Sequence, residues 1–145
     1  MNAFQLQRAP LLAGYFDSSI FQKKARQLLI LQTGVAGMQY CLDLDSEEGS
    51  ALLERLTPGT ELRLYREPEN EHDTWAVAVY TADEQKIGYI SRFKVETVAR
   101  LMDYGKKLTA IVDEPPPEPK DEVERRRTRA WTENYRLPFS VYLEE

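Results

Sequence analysis

The sequence is poorest in the residues that most often carry chemistry. It holds one cysteine, Cys41, and one histidine, His72, in 145 residues. A lone cysteine closes no internal disulfide, and a single thiol beside a single imidazole is no ligand set for a Cys/His zinc site, so neither metal nor cofactor is implied. Serine–histidine or cysteine–histidine catalysis would have to rest on that one imidazole. Long apolar runs are missing as well. Nothing approaches the roughly 18 consecutive apolar residues of a membrane-spanning helix, and no basic segment followed by an apolar run marks a secretory signal. These absences predict a cytoplasmic protein with no membrane partner. Positive charge is also in deficit, with 19 Lys and Arg against 24 Asp and Glu for a formal net charge of −5. A chain of that sign has no field for coating duplex nucleic acid through many phosphates.

What is present suits one soluble domain. Hydrophobic residues make up 42 % and charged residues 30 %, enough apolar material for a core and too much for wholesale disorder. Charge is unevenly spread: residues 1–25 carry +2, 26–113 carry −5 and 114–145 carry −2. Within the last segment Arg125, Arg126, Arg127 and Arg129 follow directly on Asp121, Glu122 and Glu124. That cluster has two readings. It is a basic flap that closes over nucleic acid with Trp131 as a stacking residue, or a solvated helical turn whose arginines pair with Glu122 and Glu124 at three- or four-residue spacing.

Periodicity supplies the elements. Leu28 to Gln32 and Val35 to Leu42 read as two strands around Gly34 and Gly37. Asp45 with Glu48 has the form of a capping box and predicts a helix to about Leu56, ended by Thr57-Pro58-Gly59. Glu61 to Glu67 alternates, Leu62 and Leu64 on one side and Arg63 and Tyr65 on the other, which is the period of a half-buried strand. Trp75 to Tyr80 repeats that signal, and a turn at Asp83-Glu84-Gln85 joins it to Lys86 to Ser91 as a hairpin. Ser91 can cap a second helix in which Phe93, Val95, Val98, Leu101 and Met102 recur at helical spacing until Gly105. Leu108 to Val112 and Leu137 to Leu143 are predicted strands. The proline-rich spacer Glu114 to Pro119 between them cannot donate to a sheet. The expected organisation is an N-terminal arm over 1–27, a core over 28–113, a Pro/Arg-rich loop over 114–136 and a final strand over 137–145 that completes the same domain. The arm is read as loosely packed or as a short helix around Ile20 to Leu28. Many strands, two helices and no βαβ alternation predict a mainly β, α+β fold, a small antiparallel β-barrel covered by helices.

The densest group of polar residues is the loop from Tyr65 to Asp73. Taken alone it has a plain structural reading. Asn70 and Asp73 can close Asx-turns on the backbone, and Arg66 with Glu67 can make a strand-end ion pair worth under about 1 kcal/mol. Tyr40 and Tyr89, on strands, are ordinarily packing residues, as is Trp75. His72 is then a solvated loop histidine that can gain a proton near neutral pH beside Asp73.

The same loop also opens a longer pattern. Leu64-x-Arg66-Glu67-Pro68-x-Asn70-x-x-Asp73-x-x-Ala76-Val77, followed by Ile87-Gly88-Tyr89-Ile90-x-Arg92 and preceded by Val35-x-Gly37-x-x-Tyr40, resembles the HIRAN domain family over roughly residues 29–112, with an extension to the last strand. Members occur at the N-terminus of helicase-type remodellers and as stand-alone bacterial proteins. This chain has no ATPase motor and is similar to the stand-alone form. The resemblance implies an OB-like barrel that binds single-stranded DNA or DNA 3′-hydroxyl ends. It further implies a setting of DNA repair or replication-fork processing, with a helicase, nuclease or other repair protein as partner.

Carried over by position, the resemblance puts Tyr40 where the family stacks a base on an aromatic ring. Asn70 and Asp73 fall on the loop that contacts the terminal nucleotide, Tyr89 in the lining of the same pocket, and Arg92 on a phosphate-contacting position. Tyr135 matches a late aromatic, with Trp131 as a competitor. This sequence departs from the DNA-binding pattern at three places. Gln39 replaces an arginine, Cys41 a second tyrosine, and His72 a tyrosine beside the acid, which removes one positive charge and shrinks the stacking surface.

Elementary chemistry is compatible with such a site. A carboxylate at Asp73 repels an internal phosphate but accepts a hydrogen bond from a free sugar hydroxyl, so it can select an end. A base on Tyr40 and a phosphate on Arg92, with Arg66 as a helper, require no net positive chain. The alternative is a protein–protein interaction module that keeps the barrel without DNA-end binding. Its acidic surface and Pro-rich loop would then face a protein. An enzyme is not expected: Asp43, Asp45, Glu47 and Glu48 lie close in sequence without metal-ligand spacing, and no phosphate-binding loop is present.

Overall fold

The computed structural model describes residues 27–115, 120–126 and 135–145, with Tyr135 and Arg136 as backbone alone. Six strands pair antiparallel around a closed barrel: β1 (Gln27–Ala36), β2 (Glu61–Arg66), β3 (Val77–Thr81), β4 (Lys86–Tyr89), β5 (Lys107–Val112) and β6 (Tyr135–Glu144). Neighbours run β1-β4-β3-β2-β5-β6. Three helices, α1 (Met38–Cys41), α2 (Glu47–Arg55) and α3 (Val95–Asp103), and a helical turn over 122–126 accompany them among the described residues. The result is the mainly β, OB-like barrel expected from the sequence. Closure leaves the sheet no free edge to pair elsewhere. No helix among the described residues is long and apolar enough to cross a membrane.

The first strand differs from its expectation. Gly34 does not break it. Register shifts against β6 between Leu29 and Leu31 and between Gly34 and Ala36 absorb the irregularity, and β1 runs unbroken to Ala36. The anticipated second strand, Val35 to Leu42, ends there. Gly37 adopts φ 72°, ψ 23°, a left-handed conformation that costs other residues about 1–2 kcal/mol and turns the backbone out of the sheet. The Tyr40 N–H then bonds the Gly37 carbonyl at 3.0 Å and the Leu42 N–H the Met38 carbonyl at 2.9 Å, so Tyr40 sits on a helical turn rather than a strand.

Helix starts also shift. Asp43 Oδ1 accepts from the Asp45 N–H at 3.2 Å, and Ser46 Oγ donates to the Asp43 carbonyl at 2.7 Å while accepting from the Gly49 N–H at 3.0 Å. Ser46 is therefore the N-cap of α2 in place of Asp45, with Glu47 and Glu48 at the positive end of the helix. Helix α3 starts at Val95 because Ser91 closes a turn first, its carbonyl accepting from the Lys94 N–H at 2.9 Å. It ends in a Schellman motif, Lys106 N–H to Leu101 carbonyl at 3.0 Å and Gly105 N–H to Met102 carbonyl at 2.9 Å.

The barrel interior is filled by Val35, Val77, Val79, Ile87, Phe139 and Val141 and closed over by Leu52 of α2 and Val98 of α3, all buried. Strand β3 is buried on both faces where half-burial was expected. Ala78 is small and lies between Tyr65 and Tyr89 at its cross-strand positions, which explains its burial. Strand β6 starts at Tyr135, two residues earlier than its apolar pattern, and carries Pro138 opposite Gly34 beside the bulge. The N-terminal arm up to residue 26 and residues 116–119 of the proline-rich spacer lie outside the described residues. Gln27 and Leu28, where a helix was one expectation, are strand.

One closure determines where a ligand can enter. Strands β1 and β4 share a single registered pair, Ala36 with Tyr89. They approach so closely at Gly88 that a Cβ there would lie 2.5 Å from Val35 Cγ1 and 2.6 Å from the Ala36 carbonyl oxygen. Beyond that pair the chain leaves the sheet on both sides, into α1 and into the turn before α3, and a gap opens.

Candidate nucleic-acid interface

That gap is a cleft of about 850 Å³. The Gly37 turn and α1 bring Gln39 and Tyr40 to it, the loop after β2 brings Asn70, His72 and Asp73, and the end of β4 with the following turn brings Tyr89, Arg92 and Phe93. Seven of the eight candidate residues therefore share one concavity. The eighth, Tyr135, pairs by backbone with Ala36 at the end of β1; its side chain, like all of Trp131, lies outside the described residues.

The loop between β2 and β3 is built around two side chains. Asn70 Oδ1 accepts from the N–H groups of His72 at 2.9 Å and Asp73 at 3.1 Å. Asp73 Oδ1 accepts from the Trp75 N–H at 2.9 Å. These are the Asx-turns of the plain structural reading. They also fix the Asp73 carboxylate at the cleft, with its second oxygen unbonded among the described residues. The Asn70 amide is anchored within the loop, its Nδ2 donating one hydrogen to Glu67 Oε1 at 3.0 Å.

Glu67 is the residue that sequence reasoning undervalued. Its carboxylate accepts from Asn70, from the Tyr89 hydroxyl at 2.9 Å and from Lys86 Nζ at 3.0 Å, and Lys86 also bonds the Tyr89 hydroxyl. Burial pushes the Glu67 acid up, but the bonds from Asn70, Lys86 and Tyr89 outweigh it and hold the carboxyl below its ordinary range. Burial opposes the Lys86 charge too, and its bonds to Tyr89 and Glu67 still leave the ammonium more strongly protonated than a free lysine. The Tyr89 phenol is raised, by burial first and by the Glu67 carboxylate in addition, against the pull of Lys86. Tyr89 thus enters the cleft as a neutral, positioned wall. Cys41, half-buried beside this group, has its thiol pushed up by burial, against Lys86 and with Glu67, which makes it a poor nucleophile.

The rim is different. Tyr40 is 85 % exposed and Phe93 82 % exposed, and the Arg92 guanidinium carbon lies 5.2 Å from the Phe93 ring centroid. Gln39 and His72 are exposed. The sequence assigned Phe93 to the apolar face of α3. It precedes the helix by two positions, and the buried face is Val95, Val98 and Ala99. The available signal was Ser91: a cap-type residue whose turn delays the helix also turns the intervening side chains outward.

Arg66 is placed elsewhere. It makes a forked contact with Asp103, Nε to Oδ1 at 3.0 Å and Nη2 to Oδ2 at 3.1 Å, and its Nη1 donates to the Ala76 carbonyl at 3.2 Å. The expected Arg66–Glu67 pair does not form because adjacent residues of an extended chain point to opposite faces. Trp75 packs against Arg66 and Arg100, whose guanidinium carbons lie 5.6 Å and 4.6 Å from its ring centroid. In the late loop, Arg125 and Arg126 both approach Glu122, at 3.7 Å and 3.4 Å, as in the solvated-turn reading; Arg127 and Arg129 lie outside the described residues.

Together these features define a class, a small closed OB-like barrel with an aromatic and polar cleft at the seam of its first and fourth strands. Residues 29–144 match the model of the HIRAN domain, and the chain belongs to the HIRAN domain family. Two crystal structures are similar to it. A protein from Lactobacillus plantarum is 26 % identical with a TM-score of 0.60, covering 82 % of this chain and 97 % of that one. The HIRAN domain of human HLTF is 15 % identical with a TM-score of 0.54, covering 83 % of this chain and 80 % of that one, a likeness of fold. Among curated proteins no match is found. Family membership supports a nucleic-acid-binding module.

Proposed function

We propose that the cleft binds the 3′-hydroxyl end of single-stranded DNA, as an accessory to DNA repair or replication-fork processing whose catalytic steps belong to other chains such as a helicase or nuclease. The observation that carries this reading is the convergence of an exposed aromatic ring, a fixed carboxylate and an exposed guanidinium, Tyr40, Asp73 and Arg92, in one cleft. Tyr40 offers a ring face on which a base stacks, worth about 1–3 kcal/mol whatever the base. Asp73, held through Oδ1, accepts the terminal hydroxyl on its other oxygen and repels a phosphate in the same place. Arg92 holds the preceding phosphate. Asn70 and Tyr89, both tied to Glu67, shape the wall that these groups work against, and Gln39 and His72 complete the rim.

Fluorescence anisotropy with short single strands tests this directly. A free 3′-hydroxyl is expected to bind about tenfold or more tighter than a 3′-phosphate, the factor that one hydrogen bond to a charged group supplies. Asp73→Asn should erase the preference and Tyr40→Ala should weaken both ligands. Equal binding of the two ends would refute end recognition, and undiminished binding by both variants would favour the protein-interaction module.

A further inference from the structure

The Phe93 side chain has no role in the fold described above. Its backbone closes the Ser91 turn, with the Lys94 N–H on the Ser91 carbonyl at 2.9 Å, and its ring is left 82 % exposed outside the buried face of α3. Two features tie that ring to a ligand rather than to chance. It lines the same cleft as Tyr40, and Arg92, next to it in sequence, sets its guanidinium 5.2 Å from the ring centroid, within the range of a cation–π contact. An aromatic face joined to a cation is the pairing that single strands use, a surface for a base beside a charge for its phosphate. The cleft has room for this: about 850 Å³ is near the top of the roughly 300–1,000 Å³ that small-ligand sites span.

We propose that Phe93 is a second stacking platform, so that the site takes two successive nucleotides of a single strand, the terminal base on Tyr40 and the penultimate base on Phe93, with Arg92 at the phosphate that links them. This rests on the end-binding reading above and sets its footprint. A site of this kind distinguishes a strand end from a free mononucleotide by the second base, independently of the hydroxyl that Asp73 reads.

The test uses the full chain and 3′-hydroxyl oligodeoxynucleotides of one, two and four residues, with a matched set carrying an abasic penultimate position. Wild type is expected to gain about 5- to 150-fold in affinity from the mononucleotide to the dinucleotide, the span of one base–aromatic stack. Phe93→Ala should remove that gain while leaving mononucleotide affinity unchanged, and Phe93→Trp should keep it. The abasic penultimate position should cost wild type the same factor and cost Phe93→Ala nothing. A 2-aminopurine at the penultimate position should be quenched by wild type and not by Phe93→Ala. If wild type binds the oligonucleotides but Phe93→Ala and the abasic strand change nothing, the second platform is refuted and the end-binding reading stands. If wild type binds none of them, both fall.

Discussion

Replacing Glu67 by glutamine isolates the polar group behind the cleft. The carboxylate accepts three bonds, from Lys86 at 3.0 Å, Tyr89 at 2.9 Å and Asn70 at 3.0 Å. A glutamine of the same size keeps one acceptor and must turn an amide N–H toward groups that are themselves donors. Hydrogen bonds to a charged group are worth about 1.5–3 kcal/mol each. Side-chain exposures of 27 % for Glu67 and 32 % for Lys86 let water replace part of what is lost, so the expected cost is about 1.5–3 kcal/mol in total rather than three times that. The fall in Tm should be several degrees. Lys86→Met in the same chain should recover part of the loss, because a pair removed together leaves no uncompensated charge, and the coupling in the double-mutant cycle should be at least about 1 kcal/mol. Urea unfolding followed by tryptophan fluorescence reads all four proteins. The pH dependence has a definite sign. A carboxyl held below its ordinary value of 4.5 contributes stability that is present above that value and is lost as pH falls through the lower, folded-state value. Lys86, raised above 10.5, contributes fully below 10.5 and loses its contribution only as pH rises past that. The difference between wild type and Glu67→Gln should therefore be flat between the two and shrink on acidification. A cost under about 0.5 kcal/mol with no coupling would place these bonds with ordinary surface pairs and refute the reasoning.

Gly88→Ala should be among the costliest single-methyl additions in the chain. Its Cβ would meet Val35 Cγ1 at 2.5 Å and the Ala36 carbonyl oxygen at 2.6 Å, a loss of at least about 2 kcal/mol from overpacking at the barrel seam, and an unchanged thermal melt would show that β1 and β4 separate freely. The pair Arg125→Ala and Arg126→Ala should leave oligonucleotide affinity within about twofold, because both guanidinium groups face Glu122. A salt slope that flattens by about 0.7 for each arginine removed would instead establish the basic flap.

Elements whose signal is local were legible in the sequence. The alternation of Glu61 to Glu67, the hairpin around Asp83 to Gln85, and the apolar spacing of Val95, Val98 and Met102 each depend on neighbours a few residues away, and each forms close to where it was expected. The segment around Gly37 was not legible, for a physical reason. Val35, Met38 and Leu42 are all buried, and spacings of three and four fit a helical turn, yet Gly34 and Gly37 within an apolar run equally suggest a bulged strand. What decides between them is φ at Gly37, which composition leaves free. The α2 cap is a similar case. Asp45 and Ser46 are both good N-caps, and the choice falls to Asp43, whose carboxylate takes the Asp45 N–H and folds the preceding turn.

The site is a harder case, because its residues come from separate parts of the chain and periodicity says nothing of their meeting. The loop motif placed Asn70 and Asp73 together, but which partner Arg66 takes was fixed by α3 bringing Asp103 alongside it, 37 residues away. The same long-range pairing changes what the net charge of −5 means. Asp103 is matched by Arg66, Glu67 by Lys86, Glu84 by Arg63 and Glu96 by Arg100, so these four acids are each balanced at about 3 Å by a cation of their own. At the cleft the charged groups are one carboxylate, Asp73, and one guanidinium, Arg92, which forms no ion pair among the described residues. Fields add locally before they add globally, and screening at physiological salt limits their reach to about 8 Å. A duplex needs many unpaired cations along a surface, whereas Arg92 is the one Lys or Arg among the described residues that line the cleft. A strand end that places one phosphate at Arg92 and one hydroxyl at Asp73 meets a complementary field whatever the total.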